Sequence, residues 1–106
     1  GSEIQDQLLL AKTLSNYGNL ILATDPSEKA EVILKNSVDV ASQINAKDVI
    51  ARSNWGLGLY YEMKGWNLEA IEFLRNAVNG FKDLKMAEYT QASKHLMEFM
   101  KKHRLI

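Results

Sequence analysis

The chain has 106 residues, 46% of them hydrophobic and 25% charged, and its 13 Lys and Arg balance its 13 Asp and Glu to a formal net charge of zero. Six Gly and one Pro exclude collagen-like and low-complexity chains, the hydrophobic share excludes wholesale disorder, and the balanced charge argues against a dedicated nucleic-acid or membrane-surface protein. With no cysteine there are no disulfides, thiol catalysis or Cys-ligated metals, and one compact domain is expected.

Gly1-Ser2 reads as the scar of a cleaved expression tag, which leaves residues 3–106 as a single domain cut from a longer protein. From Ile4 the apolar or small residues at 4, 8, 11, 14, 18 and 21 keep the three-four spacing of one helix face, predicting a first helix to Ala23. Asp25-Pro26-Ser27-Glu28 predicts the next start: Asp25 as cap, Pro26 at the first helical position, Glu28 completing a capping box. The second helix carries Ala30, Ile33, Leu34, Ser37, Ala41 and Ile44, and polar Asn45 to Asp48 follows as a connection. Ile50, Asn54, Leu57, Gly58 and Tyr61 form the inner stripe of a third helix, closed by Gly65 in a left-handed conformation. Asn67 is the expected cap of the fourth helix, with Trp66 stapled on Ile71 and a stripe of Ile71, Leu74, Val78, Phe81 and Leu84. The apolar spacing runs straight through Asn79-Gly80, so the helix is kept there at a cost of about 1 kcal/mol for Gly80. A fifth, amphipathic helix spans about Met86 to His103. No run approaches the roughly 18 apolar residues of a membrane span, so a soluble, cytoplasmic protein is expected.

Shifting the chain by 40 positions pairs Gly18 with Gly58, Ala30 with Ala70, Leu34 with Leu74, Asn36 with Asn76 and Val38 with Val78. Such an internal repeat of helical hairpins must stack to bury its apolar faces, which predicts an all-α hairpin solenoid: two hairpins and a C-terminal capping helix. On Leu57-Gly58, Tyr61, Gly65, Ala70, Leu74 and Ala77 the chain resembles the tetratricopeptide repeat family, while Asn54 departs from its usual large apolar residue. The earlier unit matches through Leu14, Tyr17-Gly18, Ile21, Ala30, Leu34 and Ser37, with Asp25 in place of the turn glycine. A 40-residue period resembles that of the longer-helix members found in signalling regulators and scaffolds.

Little points to chemistry. His95 and His103 lack the spacing of paired metal ligands, Gly56-Leu57-Gly58 lies within a helix rather than in a phosphate loop, and Glu28/Glu31 and Glu69/Glu72 sit in first turns that favour negative charge. No enzyme activity, metal or cofactor is expected. Lys101-Lys102-His103-Arg104 suits a helix C-terminus better than a nucleic-acid contact, and Met86, Met97 and Met100 suit core filling.

The resemblance implies a concave groove lined by the first helix of each hairpin, here Lys12, Ser15, Asn16, Asn19 and Leu22, then Arg52, Trp55, Leu59, Glu62 and Met63. For the fifth helix an offset of 39 avoids burying charges and turns Gln91, Lys94, His95, Glu98, Lys101 and Lys102 toward the groove. Five cations in that lining against Glu62 and Glu98 favour an acidic or amphipathic peptide around Trp55. The family's carboxylate clamp for chaperone tails is not implied, since Ser15, Gly56, Gln91 and His95 occupy its places and only Asn19 agrees. The expected function is a non-enzymatic protein- or peptide-binding module. The alternative is a regulatory or sensor domain of a larger signalling or transcription regulator whose groove holds another domain of its own chain. Self-association through uncapped terminal helices is a further expectation.

Overall fold

The computed structural model describes residues 2–105. Five α-helices follow one another: α1 (Glu3–Thr24), α2 (Glu28–Gln43), α3 (Lys47–Lys64), α4 (Asn67–Asp83) and α5 (Tyr89–Lys102). Each packs on the next, and α1 also packs on α3. The result is two helical hairpins in succession with α5 laid against the second, in a slab of 48 × 30 × 19 Å.

The 40-residue offset has a physical counterpart in the way each hairpin closes. A Cβ built on Gly18 would stand 2.6 Å from Leu34 Cγ, and one on Gly58 would stand 2.5 Å from Leu74 Cδ2 and 3.0 Å from the Leu74 backbone nitrogen. In both hairpins a leucine of the second helix fills the space left by a missing side chain on the first. Ala30 and Ala70, fully buried at equivalent places, keep the paired backbones close for the same reason. Gly80 continues α4 as expected, and a Cβ there would come within 3.0 Å of Ala51 Cβ, so this glycine also sits at a close helix contact.

The core is unequal along the slab. Around α3 and α4 it is built from Tyr60, Phe81, Leu57 and Leu74, whereas the N-terminal end of α1 meets α2 and α3 through Ala11, Ala41 and Val49. Three buried serines link α1, α2 and α3: Ser53 Oγ donates to Ser15 Oγ (2.9 Å), and Ser37 Oγ lies 2.9 Å from Ser53 Oγ and donates to the Ala11 carbonyl (2.8 Å). These bonds satisfy hydroxyls that would otherwise be stranded away from water. The inner stripe of α3 therefore differs from Ile50, Asn54, Leu57, Gly58 and Tyr61 alone. Val49, Ser53, Gly56 and Tyr60 are buried while Ile50 and Asn54 are half-buried, because α3 is covered by α1 and α2 on one side and α4 on the other.

Four helices stop in the same manner. Asn45, Gly65, Lys85 and Arg104 take φ of 56°, 77°, 55° and 56°, and the next residue's N–H returns to a carbonyl five positions back, as in Trp66 to Tyr61 (3.0 Å) and Met86 to Phe81 (2.8 Å). The expected starts are corrected at two places. Asp25 closes α1, its N–H reaching Ile21 O at 2.6 Å, and Ser27 is the residue before α2, with no side-chain cap. A residue preceding proline is driven out of helical geometry, which leaves Asp25 non-helical at φ −149°, ψ 87° and displaces the start past Pro26. At α4 the cap position is Trp66 rather than Asn67. The Trp66 ring stacks on Tyr61 (5.8 Å), and Asn67 Nδ2 lies 3.3 Å from His103 Nδ1 instead of capping. The sequence does hold one capping box, at Ser2: its Oγ accepts from Gln5 N–H (3.1 Å) and its N–H donates to Gln5 Oε1 (3.2 Å). Ser2, expected to be part of a tag scar, thus acts as a cap, and Gly1 and Ile106 lie outside the described residues. No helix among the described residues is long and apolar enough to cross a membrane.

Candidate functional site

Positions 48, 52, 55, 59 and 62 of α3 lie on one helical face, three or four residues apart, and that face is left open between α1 and α5. Its centre is Trp55, half-buried, with its ring 6.3 Å from Phe81 and edge-on to His95 at 5.4 Å. Around it is a cleft of about 510 Å³ lined by Asn19, Arg52, Trp55, Leu59, Phe81, Glu88, Gln91, Ala92 and His95. A pocket of about 370 Å³ adjoins it through Asn19, Leu59 and His95 and extends to Leu22, Glu62 and Met63. On the other side Arg52 is shared with a smaller pocket, about 190 Å³, that reaches Lys12, Ser15, Asn16 and Val49. Together they form a groove running from Lys12 past Trp55 to Met63.

The structure thus brings together all ten residues of α1 and α3 expected there, Lys12, Ser15, Asn16, Asn19, Leu22, Arg52, Trp55, Leu59, Glu62 and Met63, with Gln91 and His95 facing them from α5. Gly56 shapes this lining, because a Cβ on it would run into the Asn19 side-chain oxygen, which lies over α3 at that point. Lys94, Glu98 and Lys101 line none of the three pockets. The buried stripe Ala92, Leu96, Phe99 and Met100 fixes the rotation of α5, so that Glu98 continues the Gln91–His95 row one turn beyond the cleft and Lys94 and Lys101 are exposed on the neighbouring row.

This placement changes the charge of the groove. Arg52 donates through Nε to Glu88 Oε2 at 2.7 Å and has its Nη1 3.8 Å from Asp48, so its charge is already balanced. The hydrogen bond from Arg52, helped by a backbone N–H, holds the Glu88 carboxyl below the usual carboxylate range. His95 Nε2 lies 2.7 Å from Glu62 Oε1 on the opposite wall. The groove is an aromatic and aliphatic floor between polar walls whose Arg52 and His95 are paired with carboxylates across it, not the basic channel that the sequence suggested. Phe81, Glu88 and Ala92 are lining residues that sequence reasoning missed; the Arg52–Glu88 pair spans 36 residues and depends on the path of the α4–α5 turn, which no local pattern encodes.

No family model, curated protein or solved structure matches the chain.

Proposed function

We propose that this chain is a non-enzymatic helical-repeat module, of the long-helix tetratricopeptide kind, that holds a segment of a partner protein along the groove over α1, α3 and α5. The observation that carries this reading is the continuous cleft floored by Trp55, whose ring is fixed from two sides by Phe81 and His95 but not covered. A rigid, half-buried tryptophan at the centre of a cleft is the kind of anchor that concentrates binding energy. The repeated glycine–leucine closure of both hairpins supports the repeat assignment. Because Arg52 and His95 already have carboxylate partners, the favoured ligand is an amphipathic segment that places an apolar side chain on Trp55, rather than a strongly acidic one.

A display library of amphipathic peptides selected on the purified chain tests this directly. Trp55→Ala is expected to weaken a selected peptide by about 2 kcal/mol, some thirtyfold, whereas Arg75→Glu on exposed α4 leaves binding unchanged. Affinity is expected to vary little with salt. Peptides that ignore Trp55→Ala and Leu59→Ala but respond to Arg75→Glu would place recognition on the convex side and end this proposal.

A further inference from the structure

α1 is apolar on both of its faces. Ala11, Ser15, Gly18 and Leu22 are buried inside the hairpin, yet Leu9, Leu10, Tyr17 and Leu20, on the opposite side, are 66%, 49%, 46% and 61% exposed. A helix that is apolar all round belongs in an interior. The two internal counterparts of this outer face are indeed covered. At the offset of 40, Leu9, Thr13, Tyr17 and Leu20 correspond to Val49, Ser53, Leu57 and Tyr60 of α3, all buried beneath α1 and α2. At the further offset of 39, Ser53, Leu57 and Tyr60 correspond to Ala92, Leu96 and Phe99 of α5, buried against α4.

We infer that the outer face of α1 is an interface, and that it is occupied by the same face of a second copy of this chain, packed antiparallel about a twofold axis. Two features, the first and third below, favour a second copy, and the second sets its strength. First, the exposed large apolar side chains are concentrated on this helix, so the surface best matched to it in a second molecule is itself; α2 and α4 already spend their covering faces on α3 and α5. Second, the four side chains leave uncovered somewhat more than two whole residues' worth of surface per copy, on the order of 400 Å², so a pair buries roughly 800 Å² through them, less than a standard stable interface and in the range of transient association. The dimer is therefore weak and concentration-dependent. Third, the charges agree with an antiparallel crossing. Asp6 shares the row of Leu9, Thr13 and Leu20 near the start of α1, and Lys29 stands beside Tyr17 toward its other end, with Nζ 5.8 Å from the ring centroid. Each copy then brings Asp6 toward Lys29 of the other, and Thr13, small and central, lets the helices approach.

Sedimentation velocity on the purified chain, from low-micromolar to near-millimolar concentration, tests this independently of the groove. The expected result is a rise in average mass from 12.0 kDa toward twice that value. Leu9→Glu combined with Leu20→Glu should hold the protein monomeric throughout while the helical circular-dichroism spectrum persists, because both side chains already face solvent. Asp6→Lys and Lys29→Asp should each weaken the dimer several-fold, and the double exchange should restore it. A chain that stays monomeric at the highest concentration overturns the inference. So does a dimer that survives the paired glutamates.

Discussion

Gly58 shows how strongly one missing methyl group can fix a structure. Gly58→Ala would gain up to about 1 kcal/mol of helix propensity, but its Cβ would meet both the Leu74 side chain and the Leu74 backbone nitrogen, and the latter moves only if α4 moves. A net loss of roughly 1–3 kcal/mol is expected from overpacking. Gly18→Ala should cost less, because the nearest atoms in its way belong to the Leu34 and Ile33 side chains and not to backbone. Urea unfolding of the two variants compares them, and equal stability for Gly58→Ala and the parent would contradict the close packing. Tyr61 supplies a second test at this scale. Its hydroxyl donates to Glu31 Oε2 at 2.7 Å, and burial first, then this hydrogen bond, pushes the phenol above its ordinary value. Lys35, beside the Tyr61 hydroxyl and 3.2 Å from Glu31, is also raised. A raised folded-state value contributes stability below the ordinary tyrosine range that is lost as pH rises through the folded value. Tyr61→Phe is accordingly expected to cost about 1 kcal/mol near neutral pH, with the gap to the parent narrowing above about pH 10. Thermal melts across that range read both quantities.

Among the elements, the helix ends carry the clearest lesson. Gly65 ends α3 at φ 77° without strain, but α4 makes the same turn with Lys85 at φ 55°, where a Cβ crowds the backbone. Lys85→Gly should therefore stabilise the protein, by up to about 1 kcal/mol after the greater freedom of glycine in the unfolded chain is counted. Gly65→Ala should destabilise it by a similar amount. Calorimetric midpoints that move the same way for both would show that the left-handed geometry is not what limits these ends. Helix starts obey different rules, and here proline displaced the start of α2 while Ser2 supplied a box at α1.

At the level of the whole molecule, what could be read in advance was whatever repeats locally. Three-four spacing marked the five helices, and the match of Gly18 with Gly58 and Leu34 with Leu74 marked the hairpins, because a missing side chain facing a leucine is a demand that sequence records directly. The α1 and α3 side of the groove was expected from the family resemblance and not from periodicity alone, and Asn19, Arg52, Trp55 and Leu59 do line it. Its electrostatics did not follow. Arg52 looks like a free cation until the α4–α5 turn brings Glu88 against it, and Lys94 and Lys101 look like groove residues until Phe99 and Met100 fix the roll of α5. Ser53 was hidden for a related reason: its burial is tolerable only because Ser15 and Ser37 arrive from two other helices.

The unequal core described above has a consequence for how the molecule opens. Where α1 begins, the contacts are made by Ala11, Ala41 and Val49, whereas α4 is held by Leu74, Phe81 and the side chains of Tyr60 and Leu57. Less apolar area is surrendered when the first two turns of α1 detach than when α4 does, so partial opening from that end costs less than global unfolding. Amide hydrogen exchange in dilute solution should therefore be graded along the chain, with Leu8 to Lys12 exchanging well before Leu74 to Phe81. Only the slowest amides of α4 should report the full unfolding free energy measured in urea. Uniform protection of both segments would mean that the slab opens as one unit, with the serine chain binding its thin end as firmly as the aromatic core binds the rest.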